Sequence, residues 1–212
     1  MENNFELEKY IDDHSSPEDE VLYELNRETN ISILRPRMLS GHIQGLLLEM
    51  LTTMIRPKRI LEIGTFTGYS ALCMAKGLSD DGILHTIELN DELEWIAQKY
   101  FAKAGLQDQI KQHIGDACQI IPTLNETFDF IFLDGNKREY CRYYELVFDK
   151  LRPGGYILAD NILWDGKVVQ EVDQRDSQTI GILEFNEMVK NDQRVRQVIL
   201  PLRDGLSLIR KL

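Results

Sequence analysis

From Arg59 onward the sequence predicts an α/β fold: a mostly parallel sheet with helices on both faces and a C-terminal antiparallel hairpin. Three observations carry that expectation. Short β-branched and aliphatic runs alternate with segments of helical composition, as crossover connections in a parallel sheet require. The first run turns on Gly64 and Gly68 and opens straight into a helical stretch, Tyr69-Ser70-Ala71-Leu72-Cys73-Met74-Ala75. The last two runs, Val195 to Leu200 and Leu206 to Ile209, are joined by a turn too short for a parallel crossover, so they pair antiparallel.

Taken in order, residues 5–30 read as two short helices forming a cap over residues 1–37. Ser16-Pro17 offers the second an N-cap and N1 proline, and the acids at 18–20 sit on the positive end of its dipole. Residues 35–41 are a loop, closed by Ser40 or Gly41 as the cap of a helix over residues 42–55 that is apolar on most of its surface. Strand-like runs follow at 59–63, 83–88, 110–114, 128–133 and 156–159. Between them lie a helix capped by Asn90 and stopped by Gly105, one from about 138 to 151, and the turn Arg152-Pro153-Gly154-Gly155; residues 177–191 form the last helix. With the final hairpin the strands number seven. No repeat or linker interrupts the pattern, so residues 38–212 are one core and the chain one domain.

Composition limits the functions open to such a domain. The 212 residues are 43% hydrophobic and 28% charged, ordinary for a globular protein, and the net charge of −11 disfavours a broad nucleic-acid face. No run is long enough to cross a bilayer, and the acidic start Met1-Glu2-Asn3-Asn4 carries no apolar signal core, so a cytoplasmic location is expected. Cys73, Cys118 and Cys141 are odd in number and widely spaced, which fits neither a disulfide framework nor a zinc pattern.

In a doubly wound sheet, ligands bind beyond the carboxyl ends of the strands. The polar residues there are Glu62 and Gly64, Glu88, Gly115-Asp116-Ala117, Asp134, and Asp160-Asn161. The glycine turn Glu62-x-Gly64-x-Phe66-x-Gly68-x-Ser70 differs from the dinucleotide pattern, and an acid at the strand end is a poor neighbour for a pyrophosphate. It suits a ligand with a positive group, such as an ammonium or a sulfonium. Glu88, 20 residues after Gly68, is placed to accept from both hydroxyls of a ribose. Asp116 is placed to accept from an adenine amino group, though it reads equally as a turn acid. Asp134, Asp160 and Asn161 offer three hard oxygen ligands suited to Mg²⁺ or Ca²⁺ and unsuited to Zn²⁺. Lys137, three residues past Asp134, is placed beside the same pocket, where it reads as a base or as a plain surface lysine. The four histidines show no metal or triad spacing.

Together these residues resemble the metal-dependent, S-adenosylmethionine-dependent O-methyltransferases that include catechol and caffeoyl-CoA O-methyltransferase. The likeness runs from Met38 to the C-terminus. It rests on Met38-x-x-Gly41-x-x-x-Gly45, Glu62-x-Gly64-x-x-x-Gly68-Tyr69-Ser70, Glu88, Gly115-Asp116-Ala117, Asp134-x-x-Lys137, and Asp160-Asn161 followed by Leu163-Trp164. The resemblance implies a Rossmann-like, seven-stranded methyltransferase sheet and a homodimer. It implies S-adenosylmethionine held by Met38, Ser40, Glu62, Gly64, Phe66, Gly68, Ser70, Glu88, Gly115, Asp116, Ala117 and Asp134. It further implies a divalent metal, Mg²⁺, on Asp134, Asp160 and Asn161, a catalytic Lys137, and a small hydroxylated, catechol-type acceptor beside Met38, Lys137 and Trp164. Gly135 and Asn136 depart from the family's residues between Asp134 and Lys137, which leaves the packing beside the acceptor open.

Three other functions compete. A transfer-RNA hydroxyuridine methyltransferase would use a local basic rim of Arg35, Arg37, Lys137, Arg138 and Arg142. A nicotinamide dehydrogenase would fit the fold and Glu88, but lacks the dinucleotide glycine pattern. A non-catalytic binding module would have no use for Asp134, Lys137, Asp160 and Asn161 together.

Overall fold

A seven-stranded sheet in the order β3-β2-β1-β4-β5-β7-β6 forms the centre of the protein, seen here in a computed structural model that describes residues 5–212. The acidic start Met1–Asn4 lies outside the described residues. The strands are β1 (Arg59–Ile63), β2 (Ile83–Glu88), β3 (Ile110–Ile114), β4 (Phe128–Leu133), β5 (Leu151–Asp160), β6 (Val195–Leu200) and β7 (Leu206–Lys211). The first five are parallel to one another; β7 runs antiparallel to both β5 and β6. The eight α-helices among the described residues are α1 (Phe5–Asp13), α2 (Glu20–Ser32), α3 (His42–Ile55), α4 (Tyr69–Ala75), α5 (Glu94–Lys103), α6 (Ala117–Thr123), α7 (Tyr140–Phe148) and α8 (Ser177–Asn191). The expected architecture is the observed one.

Strand alternation builds two cores. On β1, β4 and β5, Leu61, Ile63, Ile131, Leu133, Ile157 and Ala159 face α6, α7 and α8, where Ile121, Tyr140, Val147, Ile182 and Phe185 are buried. Their neighbours Ile60, Phe130, Phe132 and Leu158 face the other way, onto Leu25 of α2, Leu48 of α3, Leu72 of α4 and Phe101 of α5. Central strands buried on both faces read as continuous apolar runs, which is why Phe128–Leu133 was conspicuous in the sequence.

Local boundaries differ from expectation in four places. The cap of α2 is Asp19, whose side chain accepts from Val21 N at 2.8 Å, so Ser16-Pro17 stays in the preceding loop. Helix α7 ends at Phe148, because Leu151 already pairs with Phe128 and the 152–155 segment continues as irregular strand around a register shift. Helix α6, absent from the sequence reading, follows Asp116, which caps it by accepting from Cys118 N at 2.8 Å. Its seven residues include Pro122, which made the segment look like loop. The helix capped by Asn90 begins as a 3₁₀ turn, Asp91–Leu93, before α5.

Candidate active site

A cavity of about 680 Å³ opens at the carboxyl ends of β1 to β5. The glycine turn forms its floor. Gly64 has φ +104°, and a Cβ there would collide with the Asp134 carbonyl oxygen, so only glycine lets β1 and β4 end this close together. Gly64 N and Thr65 N donate to Ile87 O at 2.9 and 3.2 Å, and Phe66 N donates to Glu88 Oε2 at 2.7 Å. The second Glu88 oxygen accepts from Asn90 N at 2.9 Å. Glu88 thus ties the turn to β2 while remaining on the cavity wall.

Met38, Gly64, Phe66, Glu88, Gly115, Asp116, Ala117, Asp134, Lys137, Asp160, Asn161 and Trp164 all line this cavity. Met38 is 56% exposed on its rim, which sets aside a plain core role. Ser40 and Ser70 line a small adjoining recess with Gly64 and Phe66. Glu62 and Gly68 stand behind the wall. Glu62 lies on the Ile60 face of β1 and is fully buried, accepting from Ser70 Oγ and Thr86 Oγ1, both at 2.5 Å. Burial pushes its carboxyl up to about 8, against the pull of those two hydroxyls. It therefore supports Ser70 from beneath the recess; an acid facing the ligand was the wrong picture of its orientation. Gly68 caps α4 in the left-handed region, and a Cβ there would meet Phe101 at 2.6 Å.

The corner around Lys137 is built from the end of β4, the 3₁₀ turn Lys137–Glu139 and the end of β5. Lys137 is 6% exposed, so it is no surface lysine. Its Nζ donates to Asp134 Oδ1 at 2.8 Å and to the Tyr140 hydroxyl at 2.7 Å. That hydroxyl lies 2.9 Å from Leu133 O and 3.0 Å from Asp160 O, between which its one proton is shared. Burial, with Asp160's charge adding, raises Asp134 to about 6, opposed by Lys137. Asp160 Oδ1 accepts from Asn161 N at 2.6 Å, and Asn161 takes the left-handed conformation (φ 57°) that asparagine tolerates.

Asp134, Asp160 and Asn161 form a hard-oxygen set of two carboxylates and one carboxamide. All three lie on the cavity wall, and oxygen donors of this kind suit a hard divalent cation. Among the described residues no group of three or more His, Cys, Asp or Glu side chains is placed to hold a metal, so a cation here would depend on the carboxamide.

Sequence reasoning missed Gln44, Arg203, Tyr140 and Tyr143. Arg203 and Tyr143 line the cavity, whereas Gln44 and Tyr140 lie behind it on Asp160 and Lys137. The expected basic rim is smaller than it looked. Lys137 is buried against Asp134, and Arg142 faces Glu139 at 3.9 Å, which leaves Arg35 and Arg37 at the cavity and Arg138 outside it. Among the described residues no helix is long and apolar enough to cross a membrane.

Comparison with known proteins agrees with this geometry. The family model described as O-methyltransferase matches residues 12–212. A probable caffeoyl-CoA O-methyltransferase 2 of Dictyostelium discoideum is 31% identical, across 100% of this chain and 94% of that protein. The catechol O-methyltransferase of Niastella koreensis is 36% identical, covering 78% of each chain. The solved structure of the O-methyltransferase TomG from Streptomyces achromogenes, in complex with SAM, superposes with a TM-score of 0.91 at 31% identity, over 100% of this chain and 99% of TomG. With its strand-end cavity, glycine turn and near-complete family match, the chain belongs to the O-methyltransferase family.

Proposed function

We propose that this O-methyltransferase carries the methyl group of S-adenosylmethionine to one hydroxyl of a small, catechol-type acceptor, assisted by a divalent cation, Mg²⁺, at Asp134, Asp160 and Asn161. The observation that carries this reading is the buried Lys137 ammonium, 2.8 Å from Asp134 on the wall that also presents Asp160 and Asn161. TomG's complex with SAM and the named activities of the two sequence relatives support it.

On this reading, Gly64, Phe66 and Glu88 receive the nucleoside, Asp116 and Ala117 flank its base, and Ser40 and Ser70 meet the methionine end. A bound cation would supply Lewis acidity that lowers the pKa of the acceptor hydroxyl. Lys137, held by Asp134 and Tyr140, first releases its own proton to solvent, and as a neutral amine it then receives that hydroxyl's proton. The acceptor oxygen then forms a bond to the methyl carbon as the carbon–sulfur bond breaks, and the sulfonium becomes a thioether. Met38 and Trp164 bound the space where these atoms meet, so alignment is the chain's main contribution. A homodimer is the assembly expected of the protein, checked by light scattering.

The test is transfer of labelled methyl from S-adenosylmethionine to a 3,4-dihydroxy aromatic acid, with Mg²⁺ and with EDTA. Transfer abolished by EDTA and restored by Mg²⁺ is the expected result. Transfer indifferent to EDTA would remove the role given to Asp134, Asp160 and Asn161.

A further inference from the structure

Asp160 is held from a direction that no strand-end rule reveals. Gln44, in the first turn of α3 and 1% exposed, donates from Nε2 to Asp160 Oδ2 at 2.5 Å. Its Oε1 accepts from Arg203 Nη1 at 3.3 Å. A guanidinium has donors only, so the Gln44 oxygen must face Arg203 and the NH₂ must face Asp160. The same guanidinium donates to Ser40 O, and from Nη2 to Leu39 O at 3.1 Å. Arg203 itself lies in the β6–β7 turn and lines the cavity.

We propose that Gln44 and Arg203 are positioning residues that couple the two ends of the site. Gln44 orients the Asp160 carboxylate toward the cation, and Arg203 locks the Gln44 amide while fixing the Leu39–Ser40 segment at the methionine end. With Asn161 N on Oδ1 and Gln44 on Oδ2, the Asp160 carboxylate cannot rotate, and its remaining lone pairs are set in advance. This inference rests on the cation site proposed above.

The test is Mn²⁺ binding followed by the electron paramagnetic resonance signal of free Mn²⁺, with S-adenosylhomocysteine binding measured in parallel by calorimetry. Gln44→Met keeps the side-chain length and removes both amide contacts. It is expected to weaken Mn²⁺ roughly tenfold or more while leaving S-adenosylhomocysteine within about twofold. Arg203→Ala is expected to weaken both ligands, and Arg203→Lys, which lacks the fork, to recover only part of the loss. Near-UV circular dichroism identifies any variant that fails to fold. If Gln44→Met does not fold, the Arg203 pair decides, because an effect of Arg203→Ala on one ligand alone overturns the coupling. Native Mn²⁺ affinity in folded Gln44→Met overturns the role of Gln44. A wild-type protein that binds no Mn²⁺ fails earlier, at the cation site itself, and is distinguished by that.

Discussion

Glu62→Gln should make the protein's stability less sensitive to pH between about 5 and 8. Glu62 has an ordinary value of 4.5 and is raised to about 8 when folded, first by burial. The sign follows from proton counting. Between these values the folded state holds a proton that the unfolded state has released, so the contribution is complete below the unfolded value and is lost as pH rises through the folded one. At about 1.4 kcal/mol per unit, raising pH from 5 to 8 costs about 3–4 kcal/mol through this group alone. Glutamine keeps the volume, can hydrogen-bond with Ser70 and Thr86, and does not titrate. Urea unfolding of both proteins across this range is the assay. With a slope of about 3 kcal/mol per M, the midpoint difference between variant and wild type should move by on the order of 1 M from pH 5 to pH 8. Subtracting the two curves removes the groups common to both, His85 and Asp134 included. Parallel curves would refute the reasoning, because they would mean that Glu62 is ionised in the fold at no cost.

Other expectations follow from the same contacts. Gly64→Ala should lose about 2–4 kcal/mol, since the Cβ meets the Asp134 carbonyl in a backbone conformation strained for alanine; thermal unfolding reads it, and S-adenosylhomocysteine binding should fall with it. Tyr140→Phe removes the hydroxyl between Lys137 and the Leu133 and Asp160 carbonyls without changing the ring; about 1–3 kcal/mol in chemical denaturation is expected, together with a fall in kcat larger than any change in KM for S-adenosylmethionine. Lys137→Met should retain S-adenosylmethionine binding and lose transfer by roughly 100-fold or more, measured with labelled methyl at saturating acceptor.

What the sequence revealed and what it hid divide along a physical line. Strand-to-helix alternation and the Gly64–Gly68 turn are local signals, and they located the sheet and the end where the cavity opens. The strand-end acids were legible because chain direction places them on one edge. Glu62 was misjudged by the alternation that buries Ile60: its side chain faces the packed helices, a consequence visible only once the sheet is covered on both faces. Gln44 lies 116 residues from its partner Asp160, and its helix looked merely apolar, so no spacing could announce the contact. Helix α6 was obscured by Pro122, although Asp116 before it was a readable cap. Lys137 read as either surface charge or base, and its burial and contacts with Tyr140 and Asp134 remove the first of these.

The reversed direction of β7 decides what the sheet's edge is made of. Leu206 pairs with Asp160, so the chain enters β7 at the end where the parallel strands finish, and the turn before it lies there too. That turn donates no strand residue, yet Gly205 O accepts from Ile162 N at 3.1 Å and Asp204 O from Leu163 N at 2.9 Å, next to Asn161 and Trp164. A parallel seventh strand would have sent its connection to the opposite edge. The hairpin therefore brings its tip to the cavity end of the sheet, where Arg203 reaches back to Leu39, Ser40 and Gln44. Within that tip only Arg203 reaches the cavity wall, while Leu202 packs on the core and Asp204 accepts from Asp165 N, so the neighbours of Arg203 brace the wall from behind.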